Sequence, residues 1–158
     1  MTREKTFPIT CTQRRRALGA FLALTATLLA PLRLLAAGWN RAAFEARTSG
    51  DGMKAIGAVT SIESVLVELK TPEIAENGAI VPIEVHSRIP TTQSIYLFAE
   101  KNQYPLAAGF DFLDGTEPFV STRIKMNESG KLTALVKADG KFYRATREVK
   151  VTIGGCGA

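Results

Sequence analysis

Histidine and cysteine are nearly missing from this chain, which has one imidazole, His86, and two thiols, Cys11 and Cys156, in 158 residues. A lone histidine with no cysteine beside it leaves little for a histidine-based metal site. Two cysteines cannot build a disulfide-dense mini-protein. Long apolar runs are scarce as well. Residues 17–30 form a run of 14, short of the ~20 that a spanning helix needs. What is present is ordinary: 46% apolar and 22% charged positions, a balance that excludes collagen, coiled coil and an acidic disordered tail. The 7 prolines and 13 glycines are spread along the chain, which points to many turns rather than a few long helices.

The formal charge of +5 raises nucleic acid or an anionic membrane as partner, but much of it sits in one segment. Residues 1–37 hold six basic side chains (Arg3, Lys5, Arg14, Arg15, Arg16, Arg33) and one acid, Glu4. A basic start, a short apolar run and the small residues Ala36, Ala37 and Gly38 are the order of a secretory leader. Thr12-Gln13-Arg14-Arg15-Arg16-Ala17-Leu18 resembles the twin-arginine export motif, without the Phe-Leu-Lys that usually follows, so residues 1–37 are expected to be a twin-arginine signal peptide and the product periplasmic. Taking six from 20 basic and one from 15 acidic residues leaves 14 of each. The exported chain is therefore near neutral, with no support for nucleic acid and no membrane attachment after cleavage. It keeps one cysteine, Cys156, in a compartment where thiols oxidise.

Residues 38–58 have apolar spacing that suits one or two short helices, interrupted at Ser49-Gly50-Asp51-Gly52, with Asp51 the expected cap. From residue 59 the period changes. Runs at 64–70, 79–86, 94–99, 106–112, 119–126, 131–137 and 141–153 are short and rich in Val, Ile and Leu. Turn signals separate them, and Asp139-Gly140 is the strongest hairpin signal. About seven strands with no room for crossover helices predict an all-β, antiparallel, immunoglobulin-like sandwich over residues 59–153. Pro82 inside its run predicts an edge strand or a bulge.

Most candidate sites reduce to ordinary surface. His86 has no metal-ligating neighbour and reads as a strand residue facing solvent. Glu73, Glu76, Asp111, Asp114 and Glu117 show no pairing that marks a general acid and base. Asn127-Glu128-Ser129 matches the glycosylation pattern, a weak signal beside a bacterial-type leader. Arg123, Lys125, Lys131 and Lys137 read as solvated strand faces.

The segment after the last strand is different. Gly154-Gly155-Cys156-Gly157-Ala158 carries a thiol among glycines, which sample φ of either sign, so residues 154–158 are expected to be a flexible arm. Five residues at ~3.3–3.6 Å each reach roughly 16–18 Å. No Lys, Arg or His lies within five positions of Cys156, and a free thiol, with a pKa of about 8.5, is a weak nucleophile without such help. A catalytic cysteine needs a base or a helix N-terminus. The arm thus reads as bearing a group on which other proteins act, a carrier and not an enzyme. A structural or adhesion module that uses Cys156 for an intermolecular disulfide is the alternative.

Four blocks carry a family resemblance. Ile153-Gly154-Gly155-Cys156-Gly157-Ala158 resembles the terminal arm of SoxY, the covalent sulfur-carrier subunit of the thiosulfate-oxidising Sox system. The segments 72–83 (PEIAENGAIVPI), 100–107 (EKNQYPLA) and 121–126 (STRIKM) resemble three further blocks of that family. The resemblance implies a sandwich paired with SoxZ as a heterodimer. It implies Cys156 as the covalent attachment point for sulfur, with Gly154, Gly155 and Gly157 as the swinging arm. It implies no resident cofactor and no metal, only S-thiosulfonate and persulfide intermediates on Cys156. The partner enzymes implied are the c-type cytochrome SoxAX, the thiosulfohydrolase SoxB and, where present, the sulfane dehydrogenase SoxCD.

Overall fold

The computed structural model describes residues 40–153. The expected leader, with Arg14, Arg15 and Arg16, and the expected arm, with Gly154, Gly155, Cys156 and Gly157, lie outside them.

Two short helices come first, α1 (Arg41–Phe44) and α2 (Ser49–Ala55), and nine strands follow. These are β1 (Ile62–Glu63), β2 (Val67–Lys70), β3 (Ile74–Asn77), β4 (Val81–Ser87), β5 (Thr92–Ala99), β6 (Leu106–Asp111), β7 (Phe119–Ile124), β8 (Gly130–Ala138) and β9 (Lys141–Ile153). The larger sheet runs β1-β9-β8-β5-β6 with β3 also on β9, and the smaller runs β2-β4-β7. The expected sandwich is therefore present.

Alternation builds the layer between the sheets. Val81, Ile83 and Val85 of β4 point inward while Pro82, Glu84 and His86 stay outside. They meet Ile95, Leu97 and Ala99 of β5 and Leu132, Ala134 and Val136 of β8 in one buried cluster. Each large side chain so buried contributes about 1.5–3 kcal/mol. On their other face β5 and β8 bury Phe98 and Leu135 beneath α1 and α2, where Ala43, Phe98, Leu106, Leu135 and Phe142 form a second cluster.

The structure corrects four details of the sequence reading. The glycine-rich run does not interrupt the helical segment but begins α2, with Thr48 as N-cap accepting from the Asp51 amide. Asp51 is not the cap; its carboxylate accepts from the Thr48 hydroxyl at 2.8 Å. The run expected from Ser64 starts only at Val67, because Ser64 draws the amides of Leu66 and Val67 onto itself in a turn. Pro82 lies in the central strand of its sheet, but β2 ends opposite Glu84, so at Pro82 β4 is paired with β7 alone. A missing amide costs nothing on that open side. Finally, β1 and β3 join the seven expected strands, and both pair parallel to β9.

The 13-residue β9 outruns its hairpin partner. Its ladder with β8 begins at the Asp139-Gly140 turn and ends at Val149 opposite Gly130. Beyond that point β3 takes over on the other edge, with Ala75 opposite Val151 and Asn77 opposite Ile153.

Candidate functional site

The last residues of β9 are the root of the segment that holds Cys156. Amides of alternate strand residues point to opposite edges. The Lys150 amide donates to the Glu73 carbonyl at 2.9 Å, on the β3 side. The Val151 amide therefore faces the side where β8 has ended, and Ser129 meets it. Its hydroxyl accepts from Val151 N at 2.8 Å and donates to Val151 O at 3.4 Å. One residue on, Thr152 Oγ1 donates to the Glu76 carbonyl at 2.9 Å. β9 is thus secured on the β8 side up to Val151 and on the β3 side up to Ile153.

Two loops hold Ser129 in place. Asn102 donates from Nδ2 to the Lys125 carbonyl at 2.6 Å and accepts from the Asn127 amide at 2.9 Å. The Met126 amide donates to the Gly78 carbonyl at 2.7 Å, and the Met126 side chain is buried. Asn77 Oδ1 accepts from the Ala79 amide at 2.8 Å and closes the turn from β3 to β4. Beside Gly130, an added Cβ would lie 2.7 Å from Lys101 Cγ, so the 100–107 loop closes directly over the start of β8.

Segments 72–83, 100–107 and 121–126 carry the resemblance, and the structure brings all three to this one end of the sandwich. Ser129, Asn102 and Thr152 were not among the expected site residues. The sequence signals at Ser129 were the Asn127-Glu128-Ser129 triplet and the Ser129-Gly130 turn pair, neither of which points to a bond with β9.

The other candidates stay apart. His86 is half-buried, with Nε2 3.6 Å from Glu117 Oε1 and its ring edge-on to Phe119 at 6.2 Å. Asp111 Oδ1 accepts from the Ser94 hydroxyl at 2.7 Å. Arg123, Lys125 and Lys131 are exposed and Lys137 partly so. Among the described residues no three His, Cys, Asp or Glu side chains gather as a metal site, and no helix is long and apolar enough to cross a membrane. A hollow lined by Lys70, Thr71, Pro82, Glu84 and Arg123 is shallow and open to solvent.

Comparison with known proteins agrees with this geometry. A family model described as "Sulfur oxidation protein SoxY" matches residues 53–156, which include Cys156. The structure of the sulfur carrier protein SoxY from Chlorobium limicola f thiosulfatophilum is 44% identical, with a TM-score of 0.57, over 65% of this chain and 96% of that one. A superoxide reductase (neelaredoxin) from Ignicoccus hospitalis is 20% identical at a TM-score of 0.48, over 62% of this chain and 86% of that one. No curated protein gives a significant match.

Proposed function

The chain belongs to the SoxY family of sulfur oxidation proteins, and from that premise we propose that it is a periplasmic covalent sulfur carrier in thiosulfate oxidation. The observation that carries this reading is the convergence of the three further blocks on the root of the segment that holds Cys156. In this reading Cys156 is the attachment point, and Gly154, Gly155 and Gly157 let it swing from a root at the end of β9.

The thiolate of Cys156 and the outer sulfur of thiosulfate join in a new S–S bond, and the two electrons released pass to the c-type cytochrome SoxAX. Water then attacks the sulfonate sulfur at SoxB. Sulfate and two protons leave, and a persulfide stays on Cys156 for a sulfane dehydrogenase, SoxCD, where one is present. The chain itself catalyses none of these steps; it presents the sulfur, paired with SoxZ.

The test is intact mass after exposure to thiosulfate and SoxAX. The wild-type chain gains the mass of an attached thiosulfate group, and Cys156→Ser gains nothing while its thermal midpoint stays put. A Cys156→Ser chain that still acquires this mass would overturn the reading. A dimer that vanishes on reduction, with no sulfur adduct in either case, would favour the structural module. Export by the twin-arginine route rests on Arg14, Arg15 and Arg16. Replacing all three by Lys leaves the precursor in the cytoplasm, whereas normal periplasmic accumulation would rule that route out.

A further inference from the structure

We propose that Ser129 is a positioning residue, a clasp that fixes where the carrier arm begins; the inference rests on the carrier reading for its purpose but not for its geometry. The antiparallel β8–β9 ladder stops at the Gly130–Val149 pair. Continued in register, it would place the backbone of residue 128 opposite Val151. That backbone is absent there, and an unmet amide and carbonyl at the end of a strand invite fraying. The Ser129 hydroxyl stands in for the missing strand by serving both groups of Val151. One oxygen thereby replaces a ladder step, a side-chain-to-backbone substitution that serine is suited to make.

The clasp is itself held. Asn102 grips the preceding loop through both ends of its amide, and Gly78 anchors Met126. The loop is thus fixed to β5 and β6 on one side and to the β3–β4 turn on the other. β3 holds the opposite edge of β9. With the clasp closed, free chain begins after the last secured residue and the thiol has the reach of the 154–158 segment alone. With it open, Val151 loses both bonds while Lys150 and Thr152 keep theirs on the β3 edge, and the root can fray back toward Val149. A longer, looser tether spreads the thiol over a larger volume and lowers its effective concentration at an enzyme's channel. Chemistry after the thiol has entered is unchanged.

Ser129→Ala removes the clasp, and Ser129→Thr keeps a hydroxyl. The first readout is hydrogen exchange at the Val151 amide in the full exported chain. Exchange should quicken at least tenfold in Ser129→Ala and return toward wild type in Ser129→Thr, while the thermal midpoint and the exchange of Val136 stay as they were. The second is conjugation with thiosulfate by SoxAX. The KM for the carrier should rise several-fold in Ser129→Ala with kcat unchanged, and Cys156 should react with a small thiol reagent at the wild-type rate. Unchanged exchange at Val151 overturns the clasp. Quickened exchange with an unchanged KM overturns its role in positioning. Wild-type chain that is never loaded sinks the carrier reading and with it the positioning role, and the exchange result still decides whether the clasp exists.

Discussion

At the tip of the β8–β9 hairpin the backbone holds Asp139 at φ 46° and Gly140 at φ 71°. A two-residue loop between the Ala138–Lys141 pair needs two successive left-handed residues to match the twist of its strands. Aspartate tolerates that region and glycine prefers it. Nothing lies within 4 Å of where a Cβ on Gly140 would stand, so the requirement is conformational and not steric. Gly140→Ala should cost about 1–2 kcal/mol and leave the denaturant m-value unchanged, as a loss confined to the native turn would. Gly140→Asn, which accepts the same φ, should recover most of it. Ser129 makes the complementary point. Its exposure and its glycosylation-like triplet concealed a backbone bond, because hydrogen bonds to a main chain 22 residues away leave no local pattern.

Among the elements, α2 shows how packing overrides a local signal. Its Ser49-Gly50-Asp51-Gly52 start reads as a break, yet Thr48 caps it and Gly52 lets it lie close to the sheet. A Cβ on Gly52 would stand 3.0 Å from Phe98 Cε1 and 3.5 Å from the Ala43 carbonyl. Gly52→Leu should therefore cost about 1–3 kcal/mol by overpacking, and chemical denaturation should find it despite leucine's better helix propensity. If the variant is as stable as wild type, the glycine is not there for close approach. The same contrast explains what could be read from sequence. β4, β8 and β9 are long enough for alternation to declare their buried face, and Asp139-Gly140 fixes the register between the last two. β1 and β3, of two and four residues, are too short to carry a period. Ile74-Ala75-Glu76-Asn77 has little strand character of its own; it is a strand because β9 offers an open edge opposite β8, past the short β1. The thiol was evident from its neighbours in sequence, but the collar around its root became evident only when three distant segments met.

For the molecule as a whole, the sandwich and the Cys156 segment make separable demands on the chain. The described core lies between the sheets and beneath α1 and α2, and the residues beyond Ile153 are proposed to serve only the sulfur. Substituting Gly154 and Gly155 together by Pro tests that division. Proline fixes φ near −65° and confines the residue before it to extended backbone, which Ile153 already adopts as the last residue of β9. The substitution should therefore leave β9 undisturbed and the thermal midpoint unchanged, since the described core is built without residues 154–158. Reaction of Cys156 with a small thiol reagent should also continue at its usual rate, because the substitutions leave the sulfur itself unaltered. Loading by SoxAX and sulfate release by SoxB should both fall sharply if, as proposed, the thiol must be carried by a pliant segment to two different enzymes. If both enzymes process the double-proline chain at the wild-type rate, rotation about these glycines is not how the sulfur is delivered, even with Cys156 as its carrier.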